Sequence, residues 1–274
     1  MLSPSLIYGT AWKGPRTASL VTAALNAGFR AIDTACQPKH YNESGTGEGW
    51  VASGLPRASL FLQTKFTPLD GQDCAKPLPY DRAAPLAKQV QQSYMTSLAN
   101  LRTTYIDSLL LHSPMPTHAE TLSVWRAFES LHSSGAVRSL GISNIYDARA
   151  LERLYAEAVV KPSCVQNRFH AQSGYDTEVR AFCRAHGIAY QSFWTLTANP
   201  RLLASPLVAR LAAAREGTPA QVLFRLVAQA GITPLSGTCD AGHMRDDVAA
   251  LTWPPFAAAE IAAFEELLRA ECDE

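Results

Sequence analysis

The sequence predicts one (β/α)8 barrel over residues 1–274, and three observations lead there. Short apolar, strand-like segments alternate with helical ones along the chain, which implies a parallel sheet with helical crossovers. Eight such segments can be counted, at a length where barrels run as one domain. Several of them end on a proton-active residue, the position at which barrel enzymes carry their chemistry. The competing doubly wound sheet lacks its usual nucleotide fingerprint. GTGEGW at 45–50 is not G-x-G-x-x-G, and it follows a loop instead of a strand.

Taken in order, Leu6-Ile7-Tyr8 closes on Gly9-Thr10 as a first strand, and helical spacing over 16–27 stops at Gly28. A short strand, Ala31-Ile32, ends on Asp33; a polar loop carries Tyr41-Asn42-Glu43, and a helix starts near Ser44. Leu60 to Lys65 reads as the third strand, followed by a Pro-, Asp- and Gly-rich loop over 66–82 that is long enough to call for a function. An amphipathic helix over 85–101 precedes a strand from Ile106 to Leu111 that ends at His112. A helix at 119–133 stops at Gly135, and Val137 to Ile142 runs into Ser143-Asn144. Asp147 is placed to cap a helix at 148–158. Val165-Gln166 is the sixth strand, with a helix at 175–186 stopped by Gly187, and Ile188 to Phe193 is the seventh. Helices at 201–214 and 218–229, a last strand Ile232 to Leu235, and helices near 242–250 and 257–270 complete the reading.

Composition narrows the function classes. The chain has 24 basic and 24 acidic residues, so it carries no footprint for nucleic acid. Its six cysteines show neither CxxC nor a metal-ligand spacing with histidine, which predicts reduced thiols and no metal site. No leader-like or membrane-spanning apolar run is found, so a cytoplasmic, monomeric protein free of the membrane is expected.

Asp33, Lys65 and His112 each end a strand, and Tyr41 sits in the loop after the second, so four proton-active groups are expected on one rim. An ordinary phenol titrates near ~10, too high for a ready acid at neutral pH. A lysine ammonium nearby would lower it, and a carboxylate would hold that ammonium charged. Each residue has a structural alternative: Asp33 as a turn cap, Lys65 as its partner, His112 as a satisfied core histidine. Together they point to proton chemistry.

At these residues the chain resembles the aldo-keto reductases. The motifs are GFRAIDTA with Tyr41-Asn42-Glu43, the strand-end lysine of LQTKF, DSLLLHSP and AVRSLGISN, and the likeness runs from the first strand to the last helix. The resemblance implies reduction of an aldehyde or ketone with NADPH (NADH being acceptable), with Asp33, Tyr41, Lys65 and His112 as catalytic tetrad and Tyr41 as proton donor. It implies Ser143, Asn144 and Gln166 on the nicotinamide carboxamide and the Phe193 ring on the nicotinamide. Gly9, Thr10, Ala11, Asp33, Trp194, Thr195, Leu196, Ser236, Gly237, Thr238, His243, Arg245 and Asp247 complete the expected cofactor contacts. Trp12, His40, Phe66 and His112 are the expected substrate contacts, and the 66–82 loop, with Phe66 and Tyr80, is expected as a pocket wall. Trp12 reads equally as a lid over the core, and His40 as a solvated loop histidine.

Departures from the family pattern carry expectations of their own. Three extra residues lie between Asp33 and Tyr41. A barrel-bottom hairpin and a substrate-covering tail are not found, the sequence stopping four residues after the expected last helix; an open cleft suited to a bulky carbonyl metabolite is the expectation. Leu235 stands at the usual phosphate-binding lysine and His243 near the arginine. Two alternatives stay open: a nucleotide-binding regulatory barrel with little turnover, or a non-redox isomerase or dehydratase using the same acid.

Overall fold

The structure, a computed structural model, describes residues 4–272. Eight parallel strands close into a barrel in chain order: β1 Ile7–Gly9, β2 Ala31–Asp33, β3 Phe61–Phe66, β4 Ser108–Leu111, β5 Leu140–Ser143, β6 Cys164–Arg168, β7 Ala189–Phe193 and β8 Ile232–Ser236. The barrel closes through β1 on β8, with Ile7 opposite Leu235 and Tyr8 opposite Ser236. Helices α1 Thr17–Ala27, α2 Glu43–Ala52, α3 Leu86–Leu101, α4 His118–Ser133, α5 Ala148–Glu157 and α6 Thr177–Ala185 follow the first six strands in turn. Then come α7 Pro200–Ala204, α8 Pro206–Ala214 and α9 Pro219–Gln229 before β8, and α10 Ala241–Ala250 and α11 Ala258–Cys272 after it. No helix among the described residues is long and apolar enough to cross a membrane.

Strand alternation divides the side chains between interior and helix layer. In β3, Gln63 and Lys65 face the barrel axis, while Thr64 turns outward to the Glu43 carboxylate of α2 and Phe66 to Tyr80 and Phe128. The main apolar core therefore lies between strands and helices, with Trp125 and Phe128 of α4 fully buried in it.

The Gly-rich start of α2 has a packing reason. A Cβ on Gly47 would lie 2.1 Å from the Asn100 carbonyl oxygen of α3, and one on Gly49 would lie 2.5 Å from that of Ala18 in α1. Three helices thus meet backbone to backbone behind the loop that carries Tyr41. Asn42 caps α2 by accepting from the Gly45 N–H, which pins that loop to the helix.

Several expected elements shift. The single helix expected over 201–214 is two, because Pro206 offers no N–H to continue the first and Ser205 is extended, capping α8 through Val208. Strands β4 and β5 begin later than Ile106 and Val137, which form one isolated bridge ahead of both. Helix α6 begins at Thr177, after a turn in which Gly174, Tyr175 and Asp176 have positive φ. The last helix continues to Cys272 instead of ending at 270, and residues 273–274 lie outside the described residues.

Candidate active site

The C-terminal strand ends open into a cavity of about 1140 Å3. Asp33, Tyr41 and His112 line it together with Gly9, Ala11, Trp12, His40, Ser143, Asn144, Gln166, Phe193, Trp194, Thr195 and Leu196. Ser236, Gly237, Thr238, His243 and Asp247 line its far side.

Asp33 is the hub, almost wholly buried. Its carboxylate accepts from Lys65 Nζ at 2.6 and 2.5 Å, from Gln63 Nε2 at 2.8 Å and from Gln166 Nε2 at 2.9 Å. Gln191 Oε1 accepts from both of those amides, so an interior ring of glutamines holds the carboxylate in place. Lys65 gives its remaining N–H to the Thr34 carbonyl at 2.9 Å. All three ammonium donors are thereby used. Burial pulls the Lys65 ammonium below the ordinary lysine range, and the Asp33 carboxylate opposes that pull.

Tyr41 sits above this pair, with Lys65 Nζ 5.5 Å from its ring centroid. The expected lowering of the phenol by Lys65 does not follow. Burial pushes the Tyr41 hydroxyl well above the ordinary tyrosine value, and the Asp33 charge adds to the rise. The physical reason is that Asp33 neutralises the ammonium while the hydroxyl itself loses water. Among the described residues that hydroxyl has no hydrogen-bond partner.

His112 stands edge-on to Tyr41 with ring centroids 6.0 Å apart. Burial first, then the Lys65 charge, then His40, hold its imidazole down to about 3, so it is neutral at any working pH. Its Nδ1 lies 2.6 Å from Thr67 Oγ1. On the mouth side, Trp12 stacks on His40 at 3.7 Å between centroids and is 65% exposed; it rims the opening instead of lidding the core.

Phe66 is not a substrate contact. It alternates with Lys65 and therefore points out of the barrel into the helix layer, where Tyr80 packs on it. The 66–82 loop accordingly does not line the cavity. Thr10 lies behind the lining, its hydroxyl donating to the Asp33 backbone carbonyl at 2.9 Å. Arg245 is exposed on α10 and also outside the lining, whereas Asp246 and Asp247 are part of it. The Ser236 hydroxyl donates to Asp247 at 2.6 Å. Burial pushes that carboxyl up to about 6.

Lys13 and Arg168 line the cavity without having been expected there. Arg168 stands two residues beyond Gln166 in β6, so strand period alone puts both on one face. Its guanidinium lies 4.2 Å from the Trp194 ring, and its Nε is buried without a partner. Lys13 Nζ donates to the Gly237 carbonyl, holding the loop after β8 beside the first.

A dinucleotide fits these residues. The cavity is large enough for an extended ligand, and two cations line it, Lys13 and Arg168, the second with an orphaned buried N–H. Beside His112 and Gln166, Asn144 Nδ2 donates to the His112 carbonyl at 2.8 Å, and the Ser143 hydroxyl donates to the Gln166 carbonyl at 2.6 Å. Those bonds fix polar groups in the cavity that the Phe193 ring also lines.

The chain is similar to known proteins. The family model described as "Aldo/keto reductase family" matches residues 6–269. An aldo-keto reductase of Mycolicibacterium smegmatis is 34% identical over 222 residues, covering 80% of this chain and 74% of that protein. Glyoxal reductase of Bacillus subtilis is 30% identical over 229 residues, covering 81% and 73%. A crystal structure of Gox0644 in complex with NADPH superposes with a TM-score of 0.79 at 27% identity, covering 96% of this chain and 89% of that one. With its closed eight-stranded barrel and family-wide match, the chain belongs to the aldo/keto reductase family, enzymes that use NAD(P)H to reduce carbonyl compounds.

Proposed function

We propose that this enzyme reduces a bulky aldehyde or ketone with NADPH, with Tyr41 delivering the proton. The observation that carries this reading is the Tyr41 hydroxyl, unpartnered among the described residues and opening on the cavity beside a neutral His112. NADPH, when bound, supplies hydride to the carbonyl carbon. Ser143, Asn144 and Gln166 would hold its carboxamide and Phe193 its ring face, which orients that chemistry toward Tyr41. Tyr41 gives its proton to the carbonyl oxygen as negative charge develops there. A raised phenol value suits this donor, because it keeps the proton in place until the oxygen becomes alkoxide-like, a stronger base than phenolate. Lys65, held by Asp33, then lies beside the phenolate left behind, and His112 orients the oxygen.

The direct test follows reduced-cofactor absorbance with a panel of carbonyl compounds. The cavity volume and the exposed indoles of Trp12 and Trp194 at its mouth favour substrates with apolar surface of their own. Larger ketones and aldehydes should therefore give higher kcat/KM than small ones. A strong preference for small dicarbonyls, of the kind named for the Bacillus subtilis relative, overturns the bulky-substrate reading.

Cofactor choice should depend on pH. Leu235 supplies no cation, Ser236 already donates to Asp247, and two carboxylates face the region where a ribose phosphate would sit. Discrimination for NADPH over NADH should thus be weak at pH 8. Asp247 takes up its proton at about pH 6, removing one negative charge as pH falls. The preference should accordingly grow between pH 8 and 6. Dissociation constants for both cofactors decide it: Asp247→Asn should flatten the change and raise NADPH affinity at pH 8. A pH-independent ratio in the wild type, or a pH dependence unchanged by Asp247→Asn, would place the phosphate elsewhere.

A further inference from the structure

We propose that Thr67 is a positioning residue that sets the tautomer of His112, and that the loop over 67–82 is built to hold it there. The inference rests on the reading of His112 as the group that orients the carbonyl oxygen. A neutral imidazole carries one N–H, on Nδ1 or on Nε2. Among the described residues the Thr67 hydroxyl has one hydrogen-bond partner, His112 Nδ1 at 2.6 Å. If Nδ1 carried the proton, the Thr67 proton would be left without an acceptor at a residue only 2% exposed. A buried unpaired donor is costly and rare, so the threonine donates into Nδ1 and the imidazole proton stands on Nε2. Among the described residues Nε2 has no partner, and His112 lines the cavity. The result is an N–H available to a carbonyl oxygen there. The other tautomer would offer that oxygen a lone pair.

The loop supplies the restraint. The Thr67 carbonyl accepts from the Tyr80 hydroxyl at 2.8 Å and from Gln72 Nε2 at 3.3 Å. Gln72 also bonds the Cys36 carbonyl at 3.1 Å, and Gln37 Nε2 bonds the Gly71 carbonyl at 2.7 Å. Cys36 and Gln37 belong to the segment leading to Tyr41, so one brace ties the tyrosine loop to the histidine's partner. A Cβ on Gly71 would lie 2.7 Å from the Thr67 Cγ2 methyl, which shows how closely the loop seats that side chain.

The experiment compares wild type, Thr67→Val and Thr67→Ser. Nitrogen-detected NMR of the imidazoles, with the His112 signal assigned through His112→Gln, reads the tautomer directly. Steady-state kinetics and cofactor titration read the consequence. Wild type and Thr67→Ser should show the Nε2–H form, and Thr67→Val a mixture. In the valine variant kcat should fall about 10- to 100-fold with a smaller change in KM, because the donor acts on charge that develops in the transition state. Cofactor affinity should stay within about twofold, and the serine variant should recover most of the rate. A wild-type Nδ1–H form overturns the proposal, as does a valine variant with unchanged tautomer or unchanged kcat. If wild type reduces no carbonyl compound, the function reading fails, while the spectra still decide whether Thr67 sets the tautomer.

Discussion

Tyr41→Phe should lower kcat for carbonyl reduction by about 10²- to 10⁴-fold, the range ascribed to a positioned general acid. Cofactor affinity should change less than tenfold, since the hydroxyl acts mainly in the transition state. The substitution is also a clean one. Among the described residues the hydroxyl has no partner to orphan, and the ring keeps its place over Lys65 and beside His112. Thermal stability should be close to wild type, so lost activity reads as lost chemistry. Wild-type kcat should be flat between pH 6 and 9. Burial raises the phenol above its ordinary range and His112 stays neutral down to about 3, so neither group changes charge in that window. Stopped-flow cofactor binding, steady-state rates and a melting curve check all of this. A phenylalanine variant that keeps most of its turnover means the donor is misassigned.

Lys65→Met should be as severe for turnover and far worse for stability. It leaves the Asp33 carboxylate buried with only the Gln63 and Gln166 amides, and breaking a buried pair from one side costs about 3–5 kcal/mol. The stranded carboxylate will prefer its protonated form, raising its folded-state value above the unfolded one. Such a group destabilises most at high pH, so the variant should regain stability as pH falls from 8 to 5. Raising the pH should not restore turnover, since the missing ammonium cannot be replaced. Asp33→Asn combined with Lys65→Met removes both charges and should recover much of the stability while staying inactive. Denaturant unfolding at several pH values and kcat for the three variants test this. A single variant as stable as wild type would show that Lys65 and Asp33 are not coupled as their 2.5 Å contact implies.

How much of this was legible beforehand follows a physical line. Local patterning carries the eight strands, most helix positions and the cap at Asp147, because hydrophobic period and capping chemistry act over a few residues. Strand ends carry Asp33, Lys65 and His112, because a parallel barrel puts every strand's C-terminus on one rim. Alternation within β3 was also enough to set Gln63 beside Lys65 and to turn Phe66 away from the cavity. What the one-dimensional pattern lacks is the meeting of distant side chains. Gln63 and Gln191 are 128 residues apart, and their bond under Asp33 exists only because the barrel closes. The Tyr41 phenol rises instead of falling because desolvation and the neutralising Asp33 are tertiary facts, invisible in the spacing of tyrosine and lysine. The long loop looked like a pocket wall from its composition. Only its folded path, back onto Thr67 and the Cys36–Gln37 segment, makes it a brace for His112, because a loop's destination depends on the surfaces that receive it.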